Sequence, residues 1–503
     1  MQNHEIVEWD AVTLSRRIHK RDVSCVEVLD AFTKQIDRLN PVVNAIVNRQ
    51  PQELLQAAAR DLDQKLAKGE DKGPMHGFPQ APKDIMPAMG LVTSKGSPIF
   101  RGLISTSDSA AYARTRHGGS IFVGRTNSPE FGLGGHTVNS VYGATLNPFD
   151  LSKSAGGSSG GAGVSVALRM LPVADGTDMM GSLRTPAAFN NIFGMRTSVG
   201  CVPHGPSEDV FFQQFSVSGP MARNVPDLAL LLSVQAGYDA RLPLTRKQDD
   251  PTRFSTSLER DFNDVKIAWL GDLDGRLPMD PGLTDICKSA LSHFHTIGCD
   301  VQEATLDFDL HQAWQAWIDL RSFTIAGNSA GLYRDSATRA QLKTDAVWEI
   351  ERGLKLSAER IFNASVTRSS FYRTLLSLFD RYDYLVLPST QVFPFPVQEP
   401  WPRSINGIAM DTYHRWMEIV LIATLGGLPA LSAPAGFNPA GLPAGLQIIG
   451  PPQADFEVLQ LGHAYDQASQ FSKTRSPLLD RATADSPPQS LIQRIKKSQG
   501  GVP

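Results

Sequence analysis

Residues 155–163 read AGGSSGGAG, and residues 176–186 read GTDMMGSLRTP. Nine glycines fall between Gly156 and Gly200 in a chain that has 42 among 503 residues, more than twice the average density. Glycine at that density lets backbone approach backbone, or permits dihedral angles closed to other residues. Across residues 155–195 only Arg169, Asp175, Asp178 and Arg184 carry charge, so the segment is expected to be buried. Buried serines flanked by glycine, here Ser158, Ser159 and Ser182, suit covalent chemistry. A hydroxyl nucleophile then stands beside backbone N–H groups that can hold an oxyanion. A phosphate-binding loop and a purely structural turn are the competing readings.

Several familiar loop chemistries are absent. No GxxxxGK[ST] occurs, which removes a Walker-type phosphate loop. GGSSGG contains GxSxG centred on either Ser158 or Ser159, but a nucleophile elbow needs a strand before it, and LNPFDLSKSA is a loop sequence. No lysine lies three residues after a serine, which removes an SxxK site.

Outward from the glycine-rich block, short apolar runs alternate with helical patterns. Strands are expected at 121–124, 171–174, 265–270, 384–387, 430–433 and 446–449, and helices at 109–117, 161–169, 225–235, 283–297, 358–379 and 456–468. That alternation predicts an α/β protein with a central, mostly parallel mixed sheet covered by α-helices on both faces. Residues 24–70 read as helix, opened by a Ser24/Glu27 capping box, with Cys25 on an apolar stripe beside Val28, Leu29 and Phe32. Trp314 and Trp317, at i and i+3, read as core.

The charge balance is near zero, 48 Lys plus Arg against 51 Asp plus Glu, so no basic field points to nucleic acid or anionic lipid. No apolar run is long enough to span a membrane, and the N-terminus shows no signal sequence. The four cysteines lack zinc or disulfide spacing, so a cytoplasmic protein without a metal is expected.

A serine nucleophile needs a base. None of the 11 histidines lies in the glycine-rich block. Lys83, in GFPQAPKDIMPAMG, is the only Lys or Arg between Lys72 and Lys95, and Phe78, Pro82, Ile85, Met86 and Met89 surround it; a surface lysine in a proline-rich loop is the competing reading of this stretch taken alone. A lysine is a base only when neutral, and an apolar setting lowers its pKa. Asp84 would oppose this if it faced the ammonium, but neighbours in an extended segment point to opposite sides.

Together, GFPQAPKDIMPAMGLVTSKGS (77–97), the block 123–163 ending in SAGGSSGGAG, and LPVADGTDMMGSLRTPAAFNNIFGMRTSVG (171–200) resemble the hallmark blocks of the amidase signature family. The resemblance returns at 382–396 and at GLPALSAPAGFNPAGLPAGLQIIG (427–450). It implies the amidase signature fold and a Ser–cisSer–Lys triad. Ser182 aligns with the nucleophile, Ser158 with the bridging serine after a cis peptide from Gly157, and Lys83 with the general base. Backbone N–H groups of Met179, Met180, Gly181 and Ser182 align with the oxyanion donors. Ser159, Thr177, Asp178 and Arg184 align with supporting positions. Met180 departs from the family, which commonly has glycine there.

The resemblance implies one large unit over 1–485: helices at 22–75, a catalytic core at 76–240, a variable helical, substrate-shaping section at 245–420, and a return to the core at 427–470. A polar tail is expected at 486–503. The resemblance also implies an amidase that cleaves an amide or carbamate through an acyl-enzyme, with no cofactor. The expected partner is a small-molecule amide, with no nucleic acid or membrane, and a homodimer is left open. The alternatives are the glutamine-hydrolysing subunit of a tRNA-dependent amidotransferase and a non-catalytic binding protein on the same fold.

Overall fold

The structure is a computed structural model and describes residues 3–212, 214–246 and 250–480. The polar segment 486–503 lies outside the described residues. Eight strands form the central sheet: β1 (Ala174–Asp178), β2 (Phe193–Arg196), β3 (Val217–Ala222), β4 (Lys266–Trp269), β5 (Asp300–Glu303), β6 (Tyr384–Pro388), β7 (Ala430–Phe437) and β8 (Pro443–Ile449). Their spatial order is β5-β4-β6-β8-β7-β2-β3-β1.

The sheet is mixed, but it is not mostly parallel. Only β4/β5 and β4/β6 pair parallel; the other five pairings are antiparallel. The reason lies in the connections. Parallel neighbours need a helical crossover, and here helices Leu283–Ser289 and Ser292–Thr296 link β4 to β5. β7 and β8 instead close through a tight turn, in which the Asn438 side chain accepts the N–H groups of Ala440 (3.0 Å) and Leu442 (2.9 Å). β3 returns beside β2 after a connection in which the described residues form no helix.

Helices cover both faces. On β7 and β8, Leu431 pairs with Ile448 and Pro434 with Gly445, so Leu431 and Gly445 lie on opposite faces. Gly462 of helix Asp455–Ser469 packs onto Leu431, whereas Ala188 of helix Arg184–Phe189 packs over Gly445. Both strands are buried almost throughout, as a doubly covered sheet requires.

Local signals are reproduced with small displacements. The Ser24/Glu27 box is formed, with the Glu27 N–H donating to Ser24 Oγ (3.1 Å) and the Ser24 N–H to the Glu27 carboxylate (2.8 Å). The strand expected at 171–174 begins only at Ala174, because its partner β3 offers its ladder to ADGTD rather than to the apolar LPV. The single helix expected at 283–297 is two short ones. The 245–420 section adds β4, β5 and β6 to the sheet besides its long helices, Leu310–Arg334, Thr344–Leu354 and Ala358–Phe379. Among the described residues, no helix is long and apolar enough to cross a membrane.

Leu446, in the middle of β8, is fully buried. Leu446→Ala is expected to destabilise the protein by about 2–5 kcal/mol. In a urea titration this should lower the unfolding midpoint without changing the m-value.

Candidate active site

Lys83 has no exposed surface, and its Nζ donates to Ser158 Oγ (2.7 Å), Ser159 Oγ (2.9 Å) and Thr177 Oγ1 (2.9 Å). Burial pushes its pKa down to about 7, against the pull of the more distant Asp175 and Asp178. Its segment is clamped by a fully buried arginine. Arg125 donates from Nε to the Pro82 carbonyl (3.0 Å) and from Nη2 to the Lys83 carbonyl (2.6 Å), and the Tyr112 hydroxyl donates to the same Lys83 carbonyl (3.2 Å). The Asp84 carboxylate faces away, accepting the N–H (3.0 Å) and Oγ–H (2.5 Å) of Ser94. The alternation expected for an extended segment therefore holds.

Two loops meet over this lysine. The Gly157–Ser158 peptide is cis. The Ser159 N–H donates to the Ser182 carbonyl (3.2 Å), which ties the GGSSGG loop to the GTDMMGS loop. Gly176 on β1 is required by this contact, because a Cβ there would lie 2.4 Å from Ser159 Oγ.

Beyond β1, a buried carboxylate organises residues 179–183. Asp178 accepts the N–H groups of Gly181 (2.8 Å) and Leu183 (3.2 Å), and it is paired with Arg184 (3.1 Å) and Arg196 (3.3 Å). Burial alone would raise its pKa; the two guanidiniums and the N–H donors outweigh that and hold it far below the usual carboxylate range. Arg184 also reaches the Val420 carbonyl (2.9 Å), Gln447 (2.8 Å) and Thr424 (2.9 Å), fastening the loop to the 420s and β8. Gly181 takes a left-handed turn at φ +80°. Because that turn falls on Gly181, Met180 keeps a backbone open to any residue, and its side chain is accommodated. Of the four N–H groups expected to face an oxyanion, the turn directs that of Gly181 inward onto the Asp178 carboxylate (2.8 Å).

Ser182 opens onto a cavity of about 20 Å³ that is also lined by Met179, Met180, Trp317, Arg321, Tyr413, His414 and Met417. The cavity wall at Gly132 is adjacent to Ser158, since a Cβ there would lie 3.4 Å from Ser158 Oγ. The geometry thus gathers Lys83, Ser158, Ser159 and Thr177 by direct hydrogen bonds, and it sets Ser182 beside them at the cavity. Among the described residues, no group of three or more His, Cys, Asp or Glu side chains is arranged to hold a metal ion.

Sequence reading missed several of these residues. Arg125 could have been noticed as a lone charge in GGSIFVGRTNS (118–128), where a cation in an apolar run signals burial. Trp317 is core, as expected, its ring tilted against that of Trp314 (5.0 Å between centroids), yet it also faces the cavity. Arg321, Tyr413 and His414 come from far along the chain and carry no local motif.

The amidase family model matches residues 27–459. The chain is 30% identical over 495 residues to an acylamidase of Rhodococcus erythropolis, covering 95% of this chain and 98% of the relative. It is 32% identical to a glutamyl-tRNA(Gln) amidotransferase subunit of Methylococcus capsulatus, covering 92% and 97%. The structure is similar to a bacterial aryl acylamidase of the amidase signature enzymes, with TM-score 0.89, 27% identity, and 95% and 99% of the two chains covered. It shares its fold with 6-aminohexanoate cyclic dimer hydrolase, with TM-score 0.82 and 21% identity over 94% and 100% of the two chains. With the family model matched across most of its length, this chain belongs to the amidase signature family of hydrolases.

Proposed function

We propose that the protein hydrolyses the C–N bond of a small amide or carbamate through an acyl-enzyme on Ser182. One observation carries this reading: a fully buried lysine, its pKa near 7, stands with its Nζ 2.7 Å from Ser158 Oγ, within reach of that hydroxyl's proton, beside the Ser182 loop. In this reading neutral Lys83 takes the proton of Ser158, and Ser158 takes that of Ser182. Ser182 Oγ attacks the carbonyl carbon, and the oxyanion accepts the N–H groups of Ser182, Met180 and Met179. The proton returns through Ser158 to the leaving nitrogen as the C–N bond breaks, and water then releases the acyl group as an acid. Ser159 and Thr177 hold the lysine amine on line, while Asp178 and Arg184 hold the loop.

His414 is the other base at the cavity, but its nitrogens are turned elsewhere. Nδ1 meets the Thr412 hydroxyl (2.8 Å) and Nε2 faces Glu349 at 3.6 Å, while burial holds its pKa below the usual value. The cavity is rich in methionine and aromatic rings, and its one arginine is already paired with Glu349. That chemistry supports a neutral aryl or alkyl amide over a free amino acid such as glutamine. It agrees with the likeness to the Rhodococcus acylamidase and the aryl acylamidase.

Ser182→Ala is expected to lower amide turnover by roughly three orders of magnitude or more and to abolish labelling by a fluorophosphonate probe. Label retained on another serine would overturn the assignment, as would glutaminase activity that requires added partner subunits. Because only neutral Lys83 serves as base, and its pKa is lowered to about 7, kcat/KM should rise as pH passes through that value and then level off. A profile that is flat between about pH 6 and 9, with chemistry rate-limiting, would exclude a lysine base.

A further inference from the structure

Arg321 stands on helix Leu310–Arg334, distant in sequence from both serine loops, and its side chain is 6% exposed. Two of its three nitrogens have strong partners. Nε donates to the Glu349 carboxylate (2.5 Å) and Nη2 to the Tyr413 hydroxyl (2.8 Å). Glu349 is held in turn by Ser322 Oγ (2.9 Å) and Tyr413 (2.7 Å), and the guanidinium lies over the Trp317 ring, 5.3 Å from its centroid. The guanidinium is therefore fixed in place. Among the described residues, its third nitrogen, Nη1, meets only the thioether of Met179, at 3.0 Å, and both residues line the cavity that Ser182 enters. A thioether is a weak acceptor for a charge-assisted donor, and methionine is the side chain best able to swing aside.

We propose that Arg321 is a specificity-determining residue whose Nη1 displaces Met179 and donates to a neutral oxygen acceptor of the substrate, a second carbonyl or similar group apart from the scissile one. This deepens the amide-hydrolase reading and rests on it. A neutral acceptor fits better than a carboxylate because Glu349 already balances the guanidinium. An added anion would leave net negative charge in a buried site.

The test uses two pairs of anilides matched in shape. Acetoacetanilide against 3-methylbutyranilide places the extra carbonyl on the acyl side. The para-acetyl against the para-isopropyl acetanilide places it on the amine side. The variant is R321M/E349Q, which removes both charges together, because deleting the arginine alone would strand a buried carboxylate. In one of the pairs the double variant should lower kcat/KM for the carbonyl-bearing member at least about ten-fold more than for its isostere. In the S182A protein, with Arg321 intact, the same member should bind at least about ten-fold more tightly than its isostere.

Equal losses within both pairs, or equal binding within both, would overturn the proposal even where the anilides are turned over. So would faster hydrolysis of succinanilic acid than of acetoacetanilide, which would assign the arginine to carboxylates. Failure of the hydrolase reading has a different signature: no anilide is turned over by the unmodified protein, and Ser182 is not labelled by fluorophosphonate.

Discussion

A lysine amine removed from water and given only hydroxyl oxygens as partners is the constraint around which this structure is arranged. Burying an ammonium is costly unless the group is paired or loses its proton. Around Lys83 the balance is shifted toward the second outcome, its pKa lowered to about 7, because its partners Ser158, Ser159 and Thr177 are neutral hydroxyls that can accept from the ammonium or donate to the neutral amine. A carboxylate at the same distance would restore the ammonium. The nearby acids are accordingly managed. Asp84 is turned to Ser94, and Asp178 is saturated by two arginines and two amides. Asp175 is buried, with its pKa raised to about 6.

The same three hydroxyls explain why the two glycine-rich loops must meet. Ser158 and Ser159 come from the loop before helix Gly160–Ala167, and Thr177 comes from β1, so satisfying the lysine closes one loop onto the other. Once closed, the Ser159 N–H reaches the Ser182 carbonyl, and Ser182 is delivered to the edge of the cavity. Asp178 then sets the shape of the loop at 179–183. By drawing the Gly181 and Leu183 amides inward, it determines which N–H groups of that loop remain to face a substrate.

What was legible in the sequence was local or compositional. The glycine density, the low charge of 155–195 and the apolar frame of Lys83 each reflect burial that adjacent residues must share. The capping box at Ser24 and Glu27 is complete within four residues. Sheet direction was not legible, since alternating strands and helices suit parallel crossovers equally well, and the Asn438–Gly441 turn and the return to β3 decide otherwise. Nor was the cavity wall. The Arg321–Glu349 pair joins two helices, and Tyr413 reaches it from a third segment, so no spacing along the chain encodes it.

The section between 245 and 420 does two jobs that constrain each other. It supplies β4, β5 and β6 at one side of the sheet, and from the intervening helix it sends Trp317 and Arg321 over the Ser182 loop. The loop at 179–183 meets this section through methionines rather than glycine: Met180 is 3% exposed, and the Met179 sulfur touches Arg321. Bulk on the loop and the arginine on the helix therefore occupy one small space together. Three of the side chains that line that space, Met179, Met180 and Met417, are flexible thioethers able to repack, whereas the amine and hydroxyls around Lys83 are tied by hydrogen bonds. The side chains that line the cavity from this section are thereby separate from those that hydrogen-bond Lys83.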